Sequence, residues 1–445
     1  MKNCTIVILL SFTFVVSCKN ENQMSQSLID VKIPVAKKIS KALKIHDDTR
    51  IDNYYWLNNK ENPEVLDYLN AENAYTKVIM RHTESFQKSL FEEMKGRIKE
   101  DDSSVPYKFN GYWYLTRFET GKDYPIYIRK KETLDATEEI LFDCNVMAKK
   151  HTYFNLGGIS ISPDNSMAAF STDVVSRRQY TLQIKNLITG EIYDDKVLNT
   201  TGSATWANDN KTLFYTMKDD VTLRSEKVFK HKLHTDTKQD IEIYHEEDET
   251  FNTFVYKTKS KKYIVIGSSS TLSSEYRFLD ANTPDGDFKI FQKRVKDLEY
   301  NIAHYNDSFY VITNADDATN FKLLKTPEST TEKENWEEVI PHRSHVLIED
   351  IEIFKEYLVV NERENGLNNL RIISWNGDED YYLPFNSETY NTYIGNNPDF
   401  DSVVLRYGYN SLTAPSSVID YNFKTKTKEI RKEQEVLGGK FKKEN

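Results

Sequence analysis

One four-residue strand core recurs seven times along the chain, and no other feature restricts the fold as much. The cores are Tyr112-Trp113-Tyr114-Leu115, Met167-Ala168-Ala169-Phe170, Thr212-Leu213-Phe214-Tyr215, Tyr263-Ile264-Val265-Ile266, Ser308-Phe309-Tyr310-Val311, Tyr357-Leu358-Val359-Val360 and Ser402-Val403-Val404-Leu405. Their starts lie 55, 45, 51, 45, 49 and 45 residues apart, the spacing of a four-stranded propeller blade. A polar turn and a second apolar run follow each core, Ile126-Tyr127-Ile128 in the first repeat and Ser417-Val418-Ile419 in the last, which is one hairpin per repeat. Ser162-Pro163-Asp164-Asn165 and Trp206-Ala207-Asn208-Asp209-Asn210 precede their cores as turns, with Pro presetting φ and Asp or Asn bonding its own backbone. Two β-sandwiches with coincidental spacing are the competing fold. Radial closure explains count, spacing and the lack of intervening helices together, so the expectation is an all-β, seven-bladed β-propeller over residues 104–436.

Ahead of the repeats, residues 5–16 form an apolar run behind Lys2, shorter than the roughly 20 residues a membrane-spanning helix needs. Residues 1–17 therefore read as a signal peptide. Val15-Val16-Ser17-Cys18 looks like a bacterial lipobox, which makes Cys18 the lipidated first residue of the mature chain and residues 18–32 a polar tether. An ordinary signal peptide with an accidental cysteine is the alternative. The expected location is the cell envelope, periplasmic or outer-membrane side, with membrane contact only through the lipid. Residues 33–103 form an amino-terminal helical segment. Asn62-Pro63-Glu64 is a helix start, and Phe86, Leu90, Met94 and Ile98, with Phe91 beside them, place an apolar stripe on a second helix.

Composition excludes several function classes. With 59 basic and 69 acidic side chains, the net charge is -10, which leaves no cation excess to neutralise a nucleic-acid backbone. Three cysteines, at positions 4, 18 and 144, are too few for a disulfide framework. No Gly-x-Ser-x-Gly, His-Glu-x-x-His, paired-cysteine or glycine-rich phosphate motif occurs, so neither cofactor nor metal is expected. Asp280, Asp285 and Asp287 around Gly286 have the wrong spacing for an EF-hand and read as a hairpin turn. His245-Glu246-Glu247-Asp248 reads as a solvated acidic turn. His46, His231, His234, His304 and His342 lie in no motif that joins a nucleophile to an orienting carboxylate. A triad assembled from distant residues stays open.

Several motifs then carry a resemblance. Asp48-Thr49-Arg50-Ile51-Asp52-Asn53-Tyr54-Tyr55-Trp56-Leu57 and Asn62-Pro63-Glu64-Val65-Leu66-Asp67-Tyr68-Leu69, with Ser176-Arg177-Arg178-Gln179-Tyr180, Trp206-Ala207-Asn208-Asp209 and Arg406-Tyr407-Gly408-Tyr409, resemble the oligopeptidase B branch of the prolyl oligopeptidase family of serine peptidases. The likeness runs from about residue 33 to about 441. It implies a seven-bladed propeller set over an α/β-hydrolase domain, with the helical segment packed on the hydrolase part and the propeller admitting only short peptides. The family's Ser, Asp and His triad lies in the hydrolase domain, which is expected to be absent here, residues 437–445 being a truncated linker towards it.

The resemblance makes Arg177 and Arg178 the candidate substrate-binding residues, since a guanidinium fork can take the carboxylate end of a peptide or an acidic residue of the hydrolase domain. A surface ion pair is their plainer role. Arg50, Asp52, Tyr54, Tyr55 and Trp56 are expected to pack at an interdomain surface. The functional expectation is the substrate-gating portion of a peptidase that in complete form cleaves after Arg or Lys, inactive as this chain alone, with peptides or a missing or separately encoded hydrolase domain as partners. The alternative is a stand-alone envelope lipoprotein propeller that binds a peptide or protein partner.

Overall fold

A computed structural model describes residues 32–438; Cys18, its lipobox and most of residues 437–445 lie outside the described range. The chain divides into two compact units at Ile98 and Lys99.

In the first unit, the helix Pro63–Met80 starts where the sequence placed it. Asn62 caps it by accepting from the Glu64 amide at 3.0 Å, which satisfies one of the amides a helix start leaves open. The second helix, Glu84–Gly96, carries the expected stripe, but Phe86 and Met94 are 65% and 61% exposed. The stripe is therefore not a core of this unit. An antiparallel hairpin, Lys41–Ile45 with Asp48–Asp52, was not expected. Its two turn residues, His46 and Asp47, have φ of 50° and 62°, positions normally filled by Asn-Gly. Asp52 and Trp56 of the family-like motif bond locally, to the Tyr54 amide and the Lys37 carbonyl. No described helix is long and apolar enough to cross a membrane.

The second unit is an all-β propeller built of consecutive antiparallel strands. Five four-stranded sheets cover 107–143, 252–292, 300–340, 346–382 and 391–433, and one seven-stranded sheet covers 155–245. The expectation of seven separate blades is corrected here: five blades stand alone, because the second and third repeats share one strand, Ile192–Trp206. Its first half pairs with Tyr180–Asn186 and its second with Thr212–Lys218, across a shift between Thr200 and Ala204. Asn199 at φ 59° and Gly202 at φ 98° let the chain bend there without leaving the sheet. A Cβ on Gly202 would come within 2.9 Å of the Tyr180 ring, so only glycine fits.

Six apolar clusters join consecutive repeats. Phe142 packs on Phe170 between the first and second, and Leu182 and Ile184 pack against Trp206 and Tyr215 between the second and third. Phe214 with Ile264, Phe278 with Phe309, Ile312 with Leu358, and Val359 with Tyr407 continue the series. Full burial of one such side chain stabilises the fold by about 1.5–3 kcal/mol. None of the six clusters spans the first and last sheets. The contacts described there are polar: Arg406 Nη1 donates to the Pro106 carbonyl at 2.6 Å, Lys432 Nζ lies 2.7 Å from Asp102 Oδ2, and Lys99 pairs with Glu435 at 3.0 Å. Cys144 is buried and its thiol is pushed up to about 12 by burial, which keeps it an inert packing residue.

Candidate functional site

Strand order decides where each turn falls. The Phe118 amide donates to the Asp102 carbonyl and the Gln434 amide to the Ser416 carbonyl, both at 2.8 Å. Turns between second and third strands therefore lie at the end where the chain enters and leaves the propeller. Turns between first and second strands lie at the opposite end.

Arg177 and Arg178 sit in the turn 174–179, at the entry end. Buried Asp173 builds this turn by accepting from the Val175 amide at 2.9 Å and the Arg178 amide at 2.7 Å. Ser176 and Arg178 take φ of 62° and 55° as a result. Lys218 Nζ donates to the Arg178 carbonyl at 2.5 Å, and burial together with the nearby guanidinium holds its pKa below the usual lysine range. Both arginine side chains are exposed, and neither has an ion pair among the described residues. Apolar tips stand on this turn, Val175, and on other turns of the same end, Val221, Leu272 and Leu412, the last 95% exposed.

The opposite end holds a feature the sequence reading passed over. The first-to-second strand turn of the fourth repeat reads Lys257-Thr258-Lys259-Ser260-Lys261-Lys262, and its side chains fan out to five other repeats. Lys257 Nζ reaches Asn208 Oδ1 at 2.8 Å in the third, and Lys259 Nζ reaches Glu352 Oε1 at 2.5 Å in the sixth, with its ammonium 4.3 Å from the Phe354 ring and 6.0 Å from that of Phe400 in the seventh. Lys261 bonds Asn110 of the first, and Lys262 pairs with Glu328 of the fifth. One lysine-rich hairpin thus lies over the inner strand ends, which in a propeller border the central channel.

The histidines are structural. His231, fully buried, has Nε2 2.8 Å from Asp195 Oδ1 and Nδ1 2.6 Å from Asp240 Oδ1. His304 joins Ser260 Oγ, 2.8 Å from Nδ1, to Glu328 Oε1, 2.5 Å from Nε2. This has the connectivity of a nucleophile, base and carboxylate. Yet His304 is buried, Ser260 also contacts the Thr258 hydroxyl at 2.9 Å, and neither lines the adjoining cavity of about 640 Å³ walled by Tyr263, Asp307 and Glu328. The three residues staple the fourth repeat to the fifth. His46 lies in the hairpin turn described above, exposed His234 stacks edge-on against Tyr193, and His342 Nε2 accepts from the Asn320 amide.

Two acidic turns resolve differently. Asp280, Asp285 and Asp287 lie in or beside the turn after Ser274–Asp280, where Asp285 pairs with Lys230 at 2.9 Å, and no group fit for a metal occurs among the described residues. Glu246 was read as solvated, but it is buried, paired with Arg294 and hydrogen-bonded by Tyr244 at 2.6 Å.

A family model described as the prolyl oligopeptidase N-terminal beta-propeller domain matches residues 34–434. The chain belongs to the prolyl oligopeptidase family. Among curated relatives, dipeptidyl aminopeptidase BI of Pseudoxanthomonas mexicana is 39% identical over 91% of this chain and 58% of that protein. Protease 2 of Moraxella lacunata is 30% identical over 92% of this chain and 59% of its own. Among solved structures, oligopeptidase B from Leishmania major superposes with a TM-score of 0.86 at 25% identity, covering 94% of this chain and 62% of that one. The oligopeptidase B likeness read from the motifs is thus borne out. The chain spans about three-fifths of the length of the family members it matches.

Proposed function

We propose that this chain is the substrate-gating part of an oligopeptidase B-like serine peptidase, which in complete form cleaves short peptides after Arg or Lys through an acyl-enzyme. The observation that carries the reading is the lysine hairpin over one end of the inner strands. A propeller capped in this way excludes folded proteins by size and limits water at a reacting centre beyond its other end. The seven-stranded sheet serves in this reading as two blades sharing a strand, which makes seven repeats around the ring.

Arg177 and Arg178 supply guanidinium forks at the entry end, where a peptide carboxylate or an acidic side chain of a hydrolase domain would meet them. Cys18 anchors the chain by lipid at the cell envelope. The 445-residue chain alone is expected to give no cleavage of short Arg- or Lys-containing peptides that a serine-directed reagent suppresses, and robust turnover by the purified chain would overturn the reading. With the hydrolase part present, Arg177→Ala with Arg178→Ala should raise KM at least about tenfold if either fork holds substrate, one charge-assisted contact being worth about 1.5–3 kcal/mol.

The exposed tips Val175, Val221, Leu272 and Leu412 favour a second reading, a stand-alone envelope propeller that docks a protein partner at that end. Co-purification of a non-hydrolase protein that Val221→Asp and Leu412→Asp abolish would select it.

A further inference from the structure

We propose that the lysine hairpin and the inner strands beside it form a binding site for an organic carboxylate, the free C-terminal end of a short peptide. The site is a cavity of about 300 Å³ to which the first four repeats each contribute, within the size range of small-molecule sites. Tyr107 and Phe109 come from the first repeat, Ser160 from the second, Asn208 from the third, and Lys257 and Lys261 from the fourth.

Lys257 and Lys261 bring two ammonium groups to one cavity, and neither has a carboxylate partner among the described residues. Lys257 bonds the side-chain oxygen of Asn208, and Lys261 that of Asn110. A neutral amide oxygen satisfies one N–H but cancels no charge. The acidic group that acts on Lys257 is Asp209, whose oxygens are taken by the Lys211 and Thr212 amides and the Thr212 hydroxyl. Elsewhere on the same hairpin the rule differs: Lys259 and Lys262 each have a glutamate. Lys257 is half-buried and Lys261 beside it is exposed; a half-buried charge next to a like charge is unfavourable, and burial together with Lys261 pushes the Lys257 amine down to about 8. An anion placed between them relieves both effects.

A second observation is independent of charge. Tyr114, itself only 6% exposed, lines the cavity, and its hydroxyl has no hydrogen-bond partner. The neighbouring Arg129 guanidinium, which also holds Glu139 and the Asn165 carbonyl, can only donate towards the Tyr114 oxygen, so it offers no acceptor for the Tyr114 O–H. A buried donor left idle beside two cations is what an absent acceptor leaves behind. Much of the remaining wall is apolar, with Ile159, Ile161 and Trp206 beside Tyr107, which stacks on Tyr114, and Phe109, whose ring lies 5.1 Å from the Lys261 ammonium. Such walls suit a carboxylate that carries an apolar body better than a strongly hydrated inorganic ion. The choice of a peptide as that body rests on the peptidase reading above; the need for an anion does not.

The test reads binding directly, without turnover, so failure of the peptidase reading leaves it standing. Calorimetry on the purified full chain would compare N-acetyl-Ala-Phe with its C-terminal amide and with inorganic phosphate. The acid is expected to bind, the amide and phosphate at least about tenfold more weakly. Lys257→Gln should weaken the acid by a similar factor, and Lys261→Gln serves if the first variant fails to fold. Tyr114→Phe should also weaken it while leaving the melting temperature unchanged or higher, an outcome a purely structural hydroxyl would not produce. Equal binding of acid and amide, equal binding of phosphate, no binding of the acid, or indifference to the lysine substitutions would each overturn the proposal.

Discussion

Lys259 places its ammonium 2.5 Å from the Glu352 carboxylate, joining the fourth repeat to the sixth with the fifth between them. Burial moves the two groups in opposite directions, Lys259 below the usual lysine range and Glu352 above the usual carboxylate range, so each is held charged mainly by the other. Lys259→Ala should therefore destabilise by about 1–3 kcal/mol, because it strands Glu352. Replacing both, with Lys259→Met and Glu352→Leu, should recover most of the loss. Denaturant titration of Lys259→Met, Glu352→Leu and the double variant gives the coupling, and a double variant less stable than either single one would refute it.

His231 provides a pH signature. Burial opposes its charge, but the contacts to Asp240 and Asp195 outweigh burial and raise its pKa. Two ring nitrogens facing two carboxylate oxygens at hydrogen-bond distance require two N–H groups, which is the imidazolium. A raised pKa contributes stability that is complete below the unfolded value of about 6.5 and is lost as pH rises through the folded value. The stability gap between the wild type and His231→Gln should thus be widest near pH 6 and shrink above it. Thermal melts across that range would show it, and a gap that widens with pH would contradict the assignment.

Lys257 should stand out chemically. At pH 8, an amine with a pKa of about 8 is half neutral, whereas an ordinary lysine near 10.4 is well under about 1% neutral. Brief acylation followed by peptide mass mapping should label Lys257 ahead of exposed Lys355 and Lys424, with the difference fading at pH 10. Labelling of Lys257 at the rate of the exposed lysines at pH 8 would exclude the shift.

The joint between the first and last sheets is expected to respond to salt. Lys432 with Asp102 is partly exposed, as is Lys99 with Glu435, and such pairs are worth about 0–1 kcal/mol and are screened by ions. In 0.5 M salt, hydrogen exchange should quicken in Tyr107–Phe109 and Asn391–Ile394 before it quickens at the six apolar joints. Lys432→Ala should produce the same pattern at low salt, and uniform acceleration around the ring would argue against a weaker joint.

Much of this architecture was legible in the residues. The seven cores are short apolar runs, most of them aromatic and β-branched, and Asn62-Pro63 marks a helix start by its own chemistry. The shared strand was not legible, because Asp194, Asp195, Asn199 and Gly202 inside it are turn-forming types, and only the paired strands on both sides keep it extended. Glu246 was misjudged for a related reason: Arg294, which neutralises it, lies 48 residues away. Lys257 and Lys261 were visible as a charge run, but their lack of counterions depends on four repeats meeting in space.

The strand Ile192–Trp206 has a consequence for how the ring comes apart. At the other joints, where side-chain packing is supplemented only by isolated backbone bonds such as the Asn208 amide to the Ala281 carbonyl and the Lys355 amide to the Phe400 carbonyl, one repeat can in principle open while its neighbour stays folded. Residues 155–245 have no such boundary, since the bonds that close the second repeat and those that open the third are carried by the same backbone. That stretch will melt and refold as one cooperative block.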